Sequence, residues 1–104
     1  MAKRILVVDE SSLFREFLKQ KLEEYGFEVE VAVNGLDGWS KLRADPPDLV
    51  VMDYYLSRIS SLELLQKKAD DKNVAAVPVI MASARIDRDK IIQVARFNVR
   101  KFFT

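Results

Sequence analysis

Three apolar runs in this sequence each end on a side chain able to do chemistry. Ile5-Leu6-Val7-Val8 runs into Asp9-Glu10, Leu49-Val50-Val51-Met52 into Asp53, and Val77-Pro78-Val79-Ile80-Met81-Ala82 into Ser83. If the runs are neighbouring parallel strands, their carboxyl ends gather three carboxylates and a hydroxyl on one rim, the edge at which open α/β sheets carry their ligands. Two like charges about 4 Å apart repel by about 4 kcal/mol at an effective dielectric near 20. Three such groups must raise a pKa or recruit a cation. Hard oxygen ligands suit Mg²⁺, which takes one or two carboxylates and keeps several waters. A carboxylate beside that ion can attack phosphorus and form an acyl phosphate. Ser83 would then donate a hydrogen bond to a phosphoryl oxygen. Taken singly, each acid only caps the loop that follows it and Ser83 only satisfies a turn. Three runs that all end this way favour a site.

Composition narrows the chemistry further. The chain has 104 residues, 49% hydrophobic and 32% charged, which suits one globular domain with a single core. It has no cysteine and no histidine, which excludes thiol chemistry, disulfides, histidine-based catalysis and most zinc sites. A formal net charge of +1 gives no global field for nucleic acid or a membrane surface. The charge is uneven: residues 85–104 carry Arg85, Arg88, Lys90, Arg96, Arg100 and Lys101 against Asp87 and Asp89, a net of +4, leaving −3 on the remainder. That basic excess reads as a solvated helix face before a docking patch. No apolar stretch approaches the roughly 20 residues of a membrane span. Met1-Ala2-Lys3-Arg4 leads into an apolar run too short for a signal peptide, so a cytoplasmic protein is expected.

The elements that must position these groups alternate along the chain. Residues 4–8 form a short β-rich run, read as a buried strand. Leu13, Phe14, Phe17, Leu18, Leu22 and Tyr25 then recur at helical spacing, with Ser11 or Ser12 as N-cap and Gly26 as the stop. Residues 27–33 alternate as a strand, with Phe27, Val29, Val31 and Val33 on one face. Asn34-Gly35 turns into a second helix over residues 36–43, ended by Asp45-Pro46-Pro47. Residues 48–53 read as a buried strand and residues 54–60, which lack a period, as a loop. Ser60 or Ser61 caps a third helix carrying Leu62, Leu64 and Leu65. Residues 74–82 read as a strand opened by Pro78, and Asp87 caps a fourth helix through Ile91, Ile92, Val94 and Ala95. Asn98 is expected in the left-handed position after that helix, and a fifth strand starts at Val99. Such alternation implies a parallel sheet with helices on both faces. Trp39 and the Tyr54-Tyr55 pair are expected to pack in the core or at the rim.

Across essentially its whole length the sequence resembles the response-regulator receiver domains of two-component signalling. Ile5-Leu6-Val7-Val8-Asp9-Glu10-Ser11-Ser12 resembles the family's first strand with its acidic pair, and Asp48-Leu49-Val50-Val51-Met52-Asp53 the strand ending in the phosphoacceptor. Val77-Pro78-Val79-Ile80-Met81-Ala82-Ser83-Ala84 resembles the segment with the switch hydroxyl and its small neighbour. Asn98-Val99-Arg100-Lys101-Phe102-Phe103-Thr104 resembles the fifth strand, with the switch aromatic on Phe102. The resemblance implies a flavodoxin-like α/β fold, an open parallel five-stranded sheet in order 2-1-3-4-5. It implies that Asp53 accepts a phosphoryl group from a histidine kinase, a phosphotransfer protein or a small phosphodonor. Asp9, Glu10, Asp53 and the backbone carbonyl of Tyr55 would hold Mg²⁺, Ser83 would move towards the phosphoryl oxygens, and Phe102 would swing inward. Residues 84–103 would then present a changed surface to an output domain or downstream protein, without direct contact to nucleic acid or membrane.

The sequence departs from the family pattern at several positions. Glu10 stands where aspartate is commoner, Leu56-Ser57 replaces Met-Pro, and Ser60-Ser61 replaces Asp-Gly. The family's phosphoryl-pairing lysine would fall one position beyond Thr104, and Lys101 is no substitute because it lies on the opposite strand face. Residues 1–104 therefore read as a receiver that lacks its final helix, either a fragment of a longer protein, the favoured reading, or a truncated receiver that cannot complete the switch, with apolar sheet surface exposed and a tendency to self-associate. Three readings follow: a phosphorylatable signalling receiver, not an enzyme; a degenerate receiver acting as a phosphorylation-independent interaction module; and, last, a Mg²⁺-dependent phosphohydrolase. The third lacks a second acid two residues after Asp53, where Tyr55 stands, and has no room for a substrate cap.

Overall fold

The structure is a computed structural model, and it describes residues 2–83 and 85–103. Five strands alternate with four helices: β1 (Arg4–Val8), α1 (Ser12–Glu24), β2 (Glu28–Ala32), α2 (Gly35–Ala44), β3 (Leu49–Met52), α3 (Ser61–Ala69), β4 (Val79–Ala82), α4 (Arg88–Ala95) and β5 (Val99–Phe103). The strands form one sheet in the order β2-β1-β3-β4-β5, and every neighbouring pair is parallel. The flavodoxin-like order expected from the sequence is the one observed.

Each central strand feeds both sides of the sheet, because successive side chains point to opposite faces. Leu6 and Val8 of β1, Val50 and Met52 of β3, and Val79 and Met81 of β4 pack with Leu42 of α2, Leu64 and Leu65 of α3, and Val94 of α4. Ile5, Val7 and Val51 turn the other way and meet Leu18 and Leu22 of α1. Burial on both faces is why β1 and β3 read as unbroken apolar runs. β2 lies at the sheet edge and alternates instead, exposing Glu28 and Glu30.

Local chemistry sets the ends of the elements. Ser11, not Ser12, caps α1 by accepting from the Phe14 amide. Gly26 follows that helix at φ +91°, a conformation that a Cβ would penalise. β2 stops at Ala32, earlier than expected, because the Val33 amide leaves the ladder and donates to the Asp37 carboxylate at 3.0 Å. Asn34, Ser60 and Asp87 cap α2, α3 and α4. Asn98 holds φ 63°, the left-handed position expected of it.

One segment differs more. Residues 74–77 were expected to open the fourth strand, yet they form turns in which the Val74 and Ala75 amides both donate to the Asp71 carbonyl. Pro78 has no N–H to offer the ladder, so β4 begins at Val79, while the Pro78 carbonyl still accepts from the Val50 amide at 3.0 Å. The buried Lys68 supports the turns by donating to the Ala75 carbonyl at 2.9 Å.

The α1 side of the sheet holds an open groove of about 710 Å³, with Leu18, Val51, Ile80 and Phe103 among its walls. Asp9, Asp53 and Ser83 lie at its rim. Among the described residues no helix is long and apolar enough to cross a membrane.

Candidate functional site

The sheet register brings the first two acids together. Val8 pairs with Met52 across β1 and β3, so Asp9 and Asp53 are the next residue on each strand. The Asp53 amide donates to the Val8 carbonyl at 3.0 Å, and the Asp9 amide to the Ala32 carbonyl at 3.2 Å. Both backbones are thus fixed at adjacent strand ends, a spacing of roughly 5 Å between chains.

Asp9 is buried, with 7% of its surface exposed. Its Oδ1 accepts from the Ser11 amide at 2.9 Å, a local turn that starts α1. One helical turn above that cap, Arg15 donates from Nη1 to the Asp9 carbonyl at 2.7 Å. Burial raises the Asp9 carboxyl above its ordinary pKa, and the charge of Asp53 pushes the same way. The Ser11 hydrogen bond and the Arg15 charge oppose the shift without cancelling it. A carboxylate held in this state gains from any cation that shares it.

Ser83 completes the rim from β4. Its side chain is buried, and the hydroxyl donates to Asp53 Oδ1 while accepting from the Tyr54 amide at 3.0 Å. The Ser83 amide donates to the Phe103 carbonyl at 2.9 Å, tying the end of β4 to β5. Ala84 and Thr104, named with these motifs, lie outside the described residues.

The third carboxylate adds its charge to those acting on Asp9 but has a hydrogen-bond partner of its own. Three converging acids were expected, but Glu10 is exposed and its Oε2 accepts from the Ser57 amide in the loop between β3 and α3. Among the described residues no three acidic, histidine or cysteine side chains form a metal-binding cluster. The glutamate is long enough to pass the rim and reach that loop. The loop is held from its other side as well: the Ser57 carbonyl accepts from the Gly35 amide at 3.0 Å and from the Ile59 amide at 2.8 Å.

Tyr55, expected to offer its carbonyl, sits in the same loop with its ring about half exposed. Tyr54 and Tyr55 stack edge-on with centroids 5.0 Å apart, and Lys90 of α4 lies 5.8 Å from the Tyr55 ring. The pair packs at the rim against α4, as expected. Phe102 is half-buried against the core on the α4 side, while Phe103 lines the opposite groove. Lys101 is exposed and pairs with Ile80, away from the rim.

Two contributors escaped the sequence reading. Arg15 was legible in principle, since it stands one helical turn beyond the Ser11 cap and so returns to the strand end. The Ser57 amide left a partial mark, since serine stands where the family's proline would have no N–H, but the acceptor it finds is not marked.

Comparison with known proteins bears on the family and the fold. The family model "Response regulator receiver domain" matches residues 5–104. The transcriptional regulatory protein CseB of Streptomyces coelicolor is 34% identical over 88 residues, which cover 85% of this chain and 36% of that protein. A response regulator receiver domain protein from Methanospirillum hungatei superposes with a TM-score of 0.91 at 26% identity, over 99% of this chain and 81% of that one. The Vibrio cholerae chemotaxis protein CheY4 gives a TM-score of 0.91 at 18% identity, over 100% and 87% of the two chains, a likeness of fold alone. The chain spans about a third of the length of CseB, whose activity belongs to that larger protein. The match over nearly the whole sequence makes this chain a member of the response regulator receiver domain family, the signalling domains of two-component systems.

Proposed function

We propose that the domain accepts a phosphoryl group on Asp53 and thereby switches the surface around α4 and β5. The observation that carries this reading is the meeting of Asp53 with Ser83 and Asp9 at the ends of β3, β4 and β1. An Asp53 carboxylate oxygen attacks phosphorus, a P–O bond forms, and the bond to the leaving group breaks with its electron pair departing on that group. From a phosphohistidine the leaving group is the imidazole nitrogen, which fits a histidine kinase or phosphotransfer protein as donor.

The donor set fits Mg²⁺. Asp9, Asp53 and the Tyr55 carbonyl would hold the ion through hard oxygen atoms, and an ion that keeps several waters would need no more protein than this. When bound, the ion supplies positive charge against the incoming phosphoryl oxygens. The chain's own groups do the rest: Arg15 and the Ser11 amide fix Asp9, and Ser83 gives its hydroxyl to the acceptor side. Phosphorylation adds a charge of about −1.5 to −2, so the Ser83 hydrogen bond is drawn to a stronger acceptor. Phe102, half-buried against the core that includes Val94 of α4, would be the side chain that responds. An output domain or downstream protein reads the result.

Incubation with a small acyl-phosphate donor and Mg²⁺ tests the reading. The wild-type chain should incorporate one phosphoryl group on Asp53, and Asp53→Asn should incorporate none. No labelling of the wild type would reject it. Glu10 resting on Ser57 favours a second reading, a module whose partner binding is independent of phosphorylation. That reading requires partner affinity to be unchanged in Asp53→Asn.

A further inference from the structure

We propose that Glu10 is a positioning residue for the loop that follows Asp53, with its carboxylate reserved for the Ser57 amide and not for the divalent cation. The inference rests on the reading of Asp53 and Asp9 as the metal and phosphoryl site. It begins from the Ser57 peptide, which is clamped at both ends. Its N–H donates to Glu10 Oε2, and its carbonyl accepts from the Gly35 and Ile59 amides.

The clamp has a purpose that the backbone makes visible. Arg58, the next residue, holds φ 72°, a left-handed conformation that costs a non-glycine residue free energy and persists only where the surroundings over-determine it. Gly35 meets the loop so closely that a Cβ there would lie 1.8 Å from the Ile59 carbonyl oxygen. The α2 side is therefore rigid. The rim side has Ser83, which holds the Tyr54 amide, and Glu10, which holds the Ser57 amide. Between these two anchors lies Tyr55, whose carbonyl would serve the cation in that reading.

Side-chain length explains the choice of residue. Glutamate has one methylene more than aspartate, and here that reach takes the carboxylate past the rim to the Ser57 amide. A charged acceptor makes a hydrogen bond roughly twice as strong as a neutral one. Swinging Glu10 back to the cation would forfeit that bond and free the strained turn, whereas Asp9 and Asp53 already provide the two carboxylates that Mg²⁺ accepts.

The two roles for Glu10 rank its variants differently. Amide hydrogen exchange at Ser57, followed by NMR on the full chain without metal or phosphodonor, reads the clamp directly. Glu10→Ala and Glu10→Asp should each speed Ser57 exchange by about tenfold, as for loss of a hydrogen bond to a charged group. Glu10→Gln keeps an acceptor oxygen at the same reach and should stay within about threefold of wild type. Mg²⁺ titration of the same samples should follow the same order, with Glu10→Gln near wild type and Glu10→Asp weaker. Unchanged Ser57 exchange in all three variants overturns the proposal. So does Glu10→Asp binding Mg²⁺ as tightly as wild type while Glu10→Gln fails, since that is the signature of a direct ligand. The exchange arm is independent of phosphoryl transfer, so a failure to label Asp53 leaves its outcome readable.

Discussion

The Ser83 hydroxyl donates to the Asp53 carboxylate while accepting from the amide of Tyr54, the residue next to that aspartate. One oxygen atom therefore joins the end of β4 to the acid and to the backbone that carries the acid's loop. Any change in the charge or shape of Asp53 is felt by β4 through this bond, and by β5 through the Ser83 amide and the Phe103 carbonyl. Ser83 is thus the joint between the acid at the end of β3 and the last residue of β5.

Removing that hydroxyl should be costly. Ser83→Ala leaves the Tyr54 amide without its acceptor in a part-buried setting, a loss of about 1–3 kcal/mol. Ser83→Thr retains the hydroxyl and should recover most of it. Urea unfolding of the two variants measures the difference. Equal destabilisation by both would show that the hydroxyl is not what holds the loop.

Close approach at Gly35 leads to a second expectation. A Cβ at this position would meet backbone, the Ile59 carbonyl carbon and oxygen, at 2.8 and 1.8 Å. Backbone cannot rotate away as a side chain can, so Gly35→Ala should cost at least the roughly 1–3 kcal/mol of an overpacked core. Gly38→Ala presses on Val8 methyl groups at 2.8 and 3.0 Å and should cost less, because side-chain atoms can give. A Gly35→Ala chain as stable as wild type by denaturant unfolding would contradict this geometry.

What the sequence made legible follows the same physical division. β1 and β3 announced themselves because parallel strands covered on both faces are apolar throughout, and their register then fixed Asp9 beside Asp53. The cap at Asp87 was legible, and that at Ser60 was narrowed to Ser60 or Ser61, because capping is a local exchange between a side chain and an amide a few residues on. The Glu10 contact was not legible, for the opposite reason. Its partner is the Ser57 amide, remote in the sequence; serine in place of the family's proline supplies that N–H, but nothing in the sequence pairs it with Glu10. Residues 74–77 were expected as strand because Val74 and Val77 are strand formers continuous with Val79, whereas Pro78 and the Lys68 contact decide where the ladder starts.

Lys68 carries a pH signature. Burial lowers its ammonium below the ordinary value of 10.5, so the folded protein binds that proton less tightly than the unfolded chain. Below the lowered value both states are protonated and the burial penalty is fully present. As pH rises from the lowered value towards 10.5, the folded state sheds the proton first and stability increases. Lys68→Met removes the group and should abolish that increase. The wild-type minus variant difference in unfolding free energy should therefore rise through the alkaline range. A difference independent of pH would mean that burial does not perturb Lys68.

Asp9 has the opposite sign and ties stability to function. Its folded pKa is raised above 3.8, so the folded state holds the proton more tightly than the unfolded chain does. Stability is greatest below 3.8 and is lost as pH rises through the folded value, leaving an ionisation penalty at neutral pH. Asp9→Asn removes the charge and can keep the oxygen that accepts from the Ser11 amide. Without metal, near pH 7, the variant should melt higher than wild type, by roughly 4–8 °C for each 1 kcal/mol relieved. The advantage should shrink as the pH is lowered and wild-type Asp9 takes up its proton. Mg²⁺ should then reverse the order: it stabilises the wild type by binding the folded state, while the variant gains little. Thermal melts of both chains with and without Mg²⁺ decide the matter. A variant that melts lower without metal would mean that Asp9 is stabilised as an anion, and equal Mg²⁺ shifts in both chains would remove Asp9 from the cation site.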